Sequence, residues 1–127
     1  MSSYRVLGPT PIVPTGAMAS TNTIHSQVFD MRSLEGGAFA PAWSNNPSGT
    51  FIVEVSLDYM PNPNGGTPLN AGTWNNLGAS VSGNPAGSSG STYIPVYAAC
   101  TAFIRLTYTN SSGSGVLSGS FIGKTRG

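Results

Sequence analysis

The sequence predicts an all-β protein, an antiparallel β-sandwich or jelly roll of about seven or eight strands. Residues 50–59, TFIVEVSLDY, alternate between two sets of side chains, which is the period of a strand with one face against a core. A second alternating segment spans residues 98–109. No segment of similar length has the 3.6-residue period of an amphipathic helix. Turns rich in glycine, proline and asparagine separate these segments at the spacing of a sandwich.

The first 22 residues are predicted to be extended. Pro9, Pro11 and Pro14 fix the φ angle and remove backbone donors, so we expect neither a helix nor much pairing with the chain's own domain. The segment is expected to be either a disordered tail or an arm that orders against neighbouring subunits. The prolines also interrupt any apolar run, so no signal peptide is expected. The predicted organisation is an extended proline-rich arm over residues 1–22 and a β-sandwich domain over residues 23–127.

In the first half of the domain, strands are predicted at residues 23–31, 38–43 and 50–59. Pro41 limits the second of these to a short strand or a strand edge. On the third, one face is expected to hold Phe51, Val53, Val55, Leu57 and Tyr59, and the other Ile52, Glu54, Ser56 and Asp58.

In the second half, residues 60–71 (MPNPNGGTPLNA) are predicted to form a long loop because of their prolines, glycines and asparagines. Strands are predicted at residues 72–77, 91–97, 98–109 and 116–122, and Pro95 places the second of these at an edge. In the strand at 98–109, Ala102, Ile104, Leu106 and Tyr108 are expected on one face and Thr101, Phe103, Arg105 and Thr107 on the other. The segment NSSGSG at residues 110–115 is predicted to be a hairpin connection.

Charged residues make up only 7% of the sequence, against about 25% in typical soluble domains. At a net charge of +1, repulsion between copies is weak, which favours an assembled or extracellular protein over a solitary cytoplasmic one. The basic residues are scattered and form no patch, so no nucleic-acid partner is expected; they are Arg5, Arg32, Arg105, Lys124 and Arg126. No apolar run approaches the ~20 residues that span a bilayer, so no membrane partner is expected.

The sequence offers no convincing catalytic pair, and the protein is not expected to be an enzyme. Glu54 and Asp58 share a predicted strand face but lie about 13 Å apart, farther than the carboxylates of glycosidases. Arg105 is instead expected to pair with Glu54 across the sheet. His25 is the only histidine and would have to be the base in any nucleophilic arrangement, so a plain hydrogen-bonded role is expected.

No cofactor or metal is expected. Cys100 is the only cysteine, which excludes an intrachain disulfide and argues against a zinc site; we expect a buried thiol. Calcium is the ion that the sequence suits best, because Asp58, Asn62 and Asn64 flank a glycine-containing loop. Their spacing does not match the EF-hand pattern, so a turn-rich loop is the favoured interpretation.

Aromatic side chains leave carbohydrate binding open as an alternative. The residues that would form a stacking platform are Trp43, Trp74, Tyr59, Tyr93, Tyr97 and Tyr108. Each also lies in a predicted strand, where burial in the core or between subunits accounts for it.

Three segments resemble a pattern of small phage and prophage β-sandwich proteins. They are PSGTFIVEVSLD at residues 47–58, GTWNNL at residues 72–77 and FIRLTYTNSSGSGVLSGSFIGK at residues 103–124. A Gly-Thr opens a long alternating strand, a Trp begins a short strand, and an Ile-Arg-x-x-Tyr strand turns into Gly-x-Leu. The resemblance covers about residues 30–124 and is to virion components such as capsid decoration (cement) proteins and tail-associated jelly rolls. Similar chains have a short turn where this one has the long loop.

The resemblance implies a bacteriophage virion structural protein, a capsid decoration or cement protein located in the virion as a homo-oligomer. Its partners would be the major capsid protein or other virion proteins. The residues expected to bind them are Tyr4 and Leu7 in the arm and Met60, Pro61 and Leu69 in the long loop. The alternative is a carbohydrate- or receptor-binding β-sandwich module associated with a tail or fibre. The family brings no catalytic residues, and none are assigned.

Overall fold

The structure of the protein, a computed structural model, describes residues 4–11, 16–19, 22–32, 36–78, 81, 83–97 and 103–126. It confirms the predicted fold class, since two antiparallel sheets pack against each other as a β-sandwich. The described residues form eleven strands and no helix. The strands are β1 Tyr4–Pro11, β2 Gly16–Ala19, β3 Thr23–His25, β4 Phe29–Asp30, β5 Gly36–Trp43, β6 Ser48–Ser56, β7 Asn75–Asn76, β8 Gly90–Ser91, β9 Ile94–Tyr97, β10 Phe103–Ser112 and β11 Ser114–Arg126. Within these ranges no helix is long and apolar enough to cross a membrane.

The sandwich consists of two sheets, which we name sheet A and sheet B. In sheet A the strand order is β1, β11, β5 and β8, with β2 also paired to β11 and β9 to β5. In sheet B the order is β3, β10, β6 and β7, with β4 also paired to β10. The central pairs are β11 with β5, where Phe121 lies opposite Phe39, and β10 with β6, where Leu106 lies opposite Val53.

The core lies between the sheets and is built from alternate residues of the central strands. Ile104, Leu106 and Tyr108 of β10 are at most 2% exposed, which confirms the inward face predicted for this strand. Phe51 and Val53 of β6 are buried as predicted. The alternating pattern therefore predicts correctly which of these side chains of β6 and β10 face the core.

Aromatic rings join the two sheets through the core. Phe29 of sheet B stacks on Phe121 of sheet A, with ring centroids 4.5 Å apart. Trp43 of sheet A lies against Phe51 of sheet B at 5.8 Å. Such pairs add specific ring contacts to the burial of large apolar surfaces, so they fix how one sheet lies on the other.

Strand β6 ends earlier than its alternation predicts. It stops at Ser56, whose hydroxyl donates to Asp58 Oδ1 and accepts from the backbone N–H of Tyr59. A side-chain hydroxyl that bonds locally in this way competes with the sheet ladder. Leu57 is consequently 76% exposed, and the prediction that it faces the core is wrong.

Strands β10 and β11 do not form the predicted hairpin. They belong to different sheets, and the chain crosses from sheet B to sheet A at Gly113. Gly113 has a φ of 72°, in the region that favours glycine, and a side chain there would clash with the carbonyl oxygen of Asn46. Asn46 lies in the β5–β6 connection, which crosses between the sheets at the same corner. Packing between these two connections, which are far apart in the sequence, therefore favours a crossing between the sheets over a hairpin.

Residues 4–11 and 16–19 belong to sheet A. Strands β1 and β2 are extended, as predicted, but both pair with β11, so the expectation of little pairing with the domain is wrong. The register of β1 shifts between Leu7 and Thr10, where Gly8 and Pro9 lie. This irregularity and the edge position of β1 accommodate proline, which has no N–H to donate.

Pro41 lies within the central strand β5 and does not make it an edge, which corrects the prediction. On one side of β5, β9 pairs up to Phe39 and β8 pairs from Ala42, so Pro41 falls in the gap between the two. Its carbonyl accepts a hydrogen bond from Thr92 N–H at 3.1 Å. The missing N–H of proline is thus placed where neither neighbouring strand needs it.

Replacing Phe121 by alanine is expected to lower the free energy of unfolding by about 3–5 kcal/mol. Its side chain is fully buried and contacts the rings of Phe29 and Phe39. Urea unfolding followed by circular dichroism measures the effect. Ile122→Ala is the matched control, because Ile122 is the next residue of β11 and is 41% exposed; a loss of about 1 kcal/mol or less is expected there. Equal losses in the two variants would contradict this account of the core.

Candidate functional site

Five of the six charged side chains that the structure describes lie on one side of the sandwich, and the sixth, Lys124, is in β11 of sheet A. The sequence holds five basic and four acidic residues. Five of these nine lie on the outer face of sheet B or in the loop after β6, namely Asp30, Arg32, Glu54, Asp58 and Arg105. The outward positions in the centre of sheet A are small instead, with Ala40 opposite Ser120 and Ala42 opposite Ser118. The outer face of sheet B, which we call the polar face, is therefore the candidate site.

Glu54 lies at the centre of the polar face. Arg105 Nε donates to Glu54 Oε1 at 2.8 Å, and the Thr107 hydroxyl donates to the same oxygen at 2.6 Å. Arg105 lies opposite Glu54 in the register of β10 and β6, which confirms the predicted cross-strand pair. The two side chains are only 19% and 16% exposed, so solvent screens this ion pair less than a fully exposed one.

His25 joins this cluster through Thr107. Its Nδ1 lies 2.9 Å from the Thr107 hydroxyl oxygen, and β3 places the two residues opposite each other. Because the hydroxyl proton goes to Glu54, Thr107 accepts a hydrogen bond from His25, and the Nδ1 atom carries the proton. In this arrangement Thr107 links His25 to Glu54 by accepting from one and donating to the other. His25 is a hydrogen-bonded strand residue, as predicted.

Burial and neighbouring charges shift two pKa values in the cluster. Burial acts to raise the pKa of Glu54, but hydrogen bonds from Thr107 and Arg105 and the charge of Arg105 outweigh it, so the pKa lies below its ordinary value. Burial and the charge of Arg105 lower the pKa of His25, although Glu54 opposes this. At neutral pH, an ionised Glu54 and a neutral His25 therefore accompany the Arg105 cation.

Aromatic rings and guanidinium groups form a row along the polar face. Arg105 lies 4.3 Å from the ring centroid of Trp74, and Trp74 lies 5.7 Å from Tyr59. Tyr59 lies 5.0 Å from Phe103, and Arg32 covers Phe103 at 4.7 Å. Each guanidinium also forms an ion pair, Arg32 with Asp30 and Arg105 with Glu54, and the ion pair holds the guanidinium over the neighbouring aromatic ring. The row therefore has a fixed geometry.

Trp74, one of the aromatic residues that the sequence offers for a stacking platform, lies on this face. The loop after β6 returns it to the sheet, and its indole N–H donates to the Ala71 carbonyl at 2.9 Å. The side chain is half-buried, so part of its ring remains accessible. Its strand pattern alone is equally typical of a core residue, since only the pairing of β7 with β6 places this segment beside Arg105.

The loop after β6, residues 57–74, is closed at its base by hydrogen bonds. Thr73 donates to Asp58 from its backbone N–H at 2.7 Å and from its hydroxyl at 3.1 Å. These bonds, led by the backbone N–H, and a further one from Ser56 lower the pKa of Asp58. Met60 and Asn70 exchange two backbone hydrogen bonds at 3.0 and 3.2 Å. The loop is therefore a closed, ordered excursion from sheet B.

The structure brings together three of the five residues predicted to bind partners. Met60 and Leu69 are 52% and 62% exposed, and Pro61 is exposed beside Met60. Leu57, at 76% exposed, belongs to the same loop but was assigned to the core by its alternation. Tyr4 and Leu7 lie apart from this loop, in β1 of sheet A opposite Arg126 and Gly123, and their side chains are outside the described part.

The aromatic residues proposed for a sugar platform are divided between core and surface. Trp43 is 8% exposed with its indole N–H donating to the Ser88 carbonyl, and Tyr108 is fully buried. Tyr93 is 64% exposed but lies between β8 and β9 of sheet A. Only Trp74 and Tyr59 contact each other on the polar face. The side chain of Tyr97 is outside the described part.

The loop residues considered for calcium are engaged within the loop. Asn62 Oδ1 accepts from the Asn64 N–H, and its amide donates to the Thr67 carbonyl. Asp58 is held by Thr73, as described above. No group of three or more His, Cys, Asp or Glu side chains suited to a metal ion is found among the described residues, which do not include Cys100. These bonds are those of the turn-rich loop that the sequence favours.

No protein-family model matches the chain, and no curated protein matches it. The function is therefore argued from the polar face and the loop after β6.

The stability of the fold is expected to fall as the pH is lowered. Glu54 has a folded pKa below its ordinary value of 4.5, so its stabilisation is present above about pH 4.5 and is lost below it. His25 has a folded pKa below 6.5, so the unfolded chain takes up the proton first and stability is lost below about pH 6.5. Urea unfolding at a series of pH values measures both. Glu54→Gln is expected to reduce the loss of stability below about pH 4.5, and His25→Asn the loss below about pH 6.5. If the dependence of stability on pH is unchanged in both variants, these two groups do not cause it.

Replacing Asp58 by alanine is expected to open the base of the loop, because Thr73 loses both hydrogen bonds to the carboxylate. Amide hydrogen exchange at Thr73 and Met60 should become at least about tenfold faster. Asn64→Ala, at the tip of the same loop, is the control and should leave these two amides protected. Equal exchange in the two variants would show that Asp58 does not hold the loop.

Proposed function

We propose that this chain is a structural subunit that works by binding a protein surface, in the manner of the capsid decoration proteins it resembles. One observation carries the proposal. The loop after β6 exposes the large apolar side chains of Leu57, Met60 and Leu69 while hydrogen bonds close its base. Apolar groups on an ordered loop bury surface on binding and lose little conformational freedom, so they suit a contact with a partner.

The composition supports the same proposal. With 7% charged residues, the surface has little charge repulsion between copies. Contacts through apolar side chains and backbone groups depend only weakly on salt, which suits a subunit that stays attached to a large particle.

In its specific form, the proposal is a bacteriophage virion protein that decorates or cements a capsid. The partners would be the major capsid protein or other virion proteins, with further copies of the chain in a homo-oligomer. The loop residues Met60, Pro61 and Leu69 would contact the partner directly. Tyr4 and Leu7 would contact a neighbour from the β1 edge of sheet A, since β1 is paired with β11 and is not a free arm.

The double variant Met60→Ser and Leu69→Ser is expected to reduce the number of copies bound per particle at least about tenfold, because two exposed apolar contacts are lost. The measurement is quantitative mass spectrometry of purified particles, which also gives the wild-type copy number. Val116→Ser is the matched control, since Val116 is 44% exposed in β11 of sheet A, away from the loop.

Many wild-type copies per particle, with loss only in the loop variant, would support the proposal. Absence of the wild-type chain from purified particles, or full occupancy by the loop variant, would contradict it.

A further inference from the structure

The polar face carries hydrogen-bonding atoms that the fold does not use. Arg105 bonds Glu54 through Nε, and both bonds to Glu54 end on Oε1. Among the hydrogen bonds between described residues, none involves the terminal nitrogens of Arg105, Oε2 of Glu54 or Nε2 of His25. No buried side-chain nitrogen or oxygen of the half-buried Arg105 and Glu54 lacks a hydrogen-bond partner, so the unused atoms of these two side chains are not fully buried. Two fixed side chains thus present a donor and an acceptor side by side.

Two further side chains surround this pair. The Arg105 guanidinium lies over the Trp74 ring, 4.3 Å from its centroid, and the indole N–H donates to the Ala71 carbonyl, so the ring orientation is fixed. The side chain is half-buried, so part of the ring that Arg105 does not cover is accessible. Asn76 lies opposite Glu54 in the register of β7 and β6 and is exposed. Its Oδ1 accepts from the Gly78 N–H at 2.7 Å, and its amide nitrogen has two N–H groups that can donate to a ligand.

We propose that the polar face binds a saccharide, with Trp74 against the apolar side of the sugar ring and with Arg105 and Glu54 hydrogen-bonded to neighbouring hydroxyls. A sugar hydroxyl both donates and accepts, so two adjacent hydroxyls match one donor and one acceptor held together as an ion pair. The C–H surface of the ring matches the accessible aromatic ring. This site uses residues other than the loop side chains of the proposed function and does not depend on it.

The charges of the face favour a neutral sugar over an anion. The charge of Arg105 is balanced by Glu54, which lies within hydrogen-bond distance of it, and His25 is neutral at pH 7 because its pKa is lowered. A phosphate or carboxylate bound by Arg105 would meet the Glu54 carboxylate and be repelled by it. Farther along the face, Arg32 is paired with Asp30, so it adds no unpaired positive charge.

The geometry also sets the expected strength of binding. Thr107 and Arg105 hold Glu54, and Trp74 packs on Arg105, so the side chains need little ordering when a ligand arrives. The site is an open sheet face, so it would contact a bound sugar on one side only. We therefore expect a dissociation constant of about 1 mM for a single sugar unit, tighter for a repeated one.

The test uses the full chain in two stages. A glycan array selects neutral saccharides, and ligand-observed NMR then gives the dissociation constant for each selected sugar. Trp74→Ala and Glu54→Gln are expected to weaken binding at least about tenfold. Glu54→Gln retains one acceptor oxygen for Arg105 and Thr107 but replaces the outward acceptor by a donor, so it tests recognition with the fold preserved. Circular dichroism melting of each variant checks the fold.

Tyr93→Ala is the matched control, because Tyr93 is 64% exposed but lies on sheet A; its binding should equal that of the wild type. Three results would overturn the inference: no saturable binding of any glycan up to about 10 mM, unchanged binding in both polar-face variants, or equal loss in Tyr93→Ala. Saturable binding lost in folded Glu54→Gln and Trp74→Ala, and kept in Tyr93→Ala, would establish the site.

Discussion

Three connections cross between the two sheets at one corner of the sandwich, and their backbones hydrogen-bond to one another. Asn46 N–H, in the β5–β6 connection, donates to the Ser114 carbonyl at the start of β11. Asn110 N–H, at the end of β10, donates to the Asn22 carbonyl between β2 and β3. Beneath them the buried Tyr108 hydroxyl donates to Asn110 Oδ1 at 2.8 Å, and Gly49 lies so close that any side chain there would clash with this hydroxyl. The relative placement of the sheets, and hence of both outer faces, depends on this corner.

The few charges of the chain have positional roles. Glu54 holds Arg105 and Thr107, Arg105 covers Trp74, and Asp58 closes the loop after β6. Because each carboxylate is engaged by a defined donor, the polar face and the loop are ordered together on one side of sheet B. In the centre of sheet A the outward residues are small instead, with Ala40 opposite Ser120 and Ala42 opposite Ser118. The proposed saccharide surface and the proposed loop contact therefore both lie on the side of sheet B, whereas the contact proposed for Tyr4 and Leu7 is on β1 of sheet A.

Part of the site could be predicted because strand alternation is a local property of the sequence. Glu54 and Arg105 each lie on the polar face of a long alternating strand, and two such strands in the centre of a sheet bring them together. The exposure of Met60, Pro61 and Leu69 follows from a proline-rich loop that cannot join a ladder. The prediction that Leu57 faces the core is wrong because the alternating pattern contains no sign of the local hydrogen bonds by which the Ser56 hydroxyl ends the strand.

What alternation could establish was the all-β class and the inward faces of β6 and β10, since a period of two is a property of each strand alone. Sheet membership is different, because it depends on backbone hydrogen bonds between residues far apart in the chain. Nothing in the segment around Gly113 distinguishes a hairpin from a crossing until Asn46 lies against it. Likewise, the N-terminal prolines do not forbid pairing once β11 offers an edge that tolerates an irregular register. The cluster of His25, Thr107, Glu54 and Trp74 exists only when four strands and a returning loop are assembled.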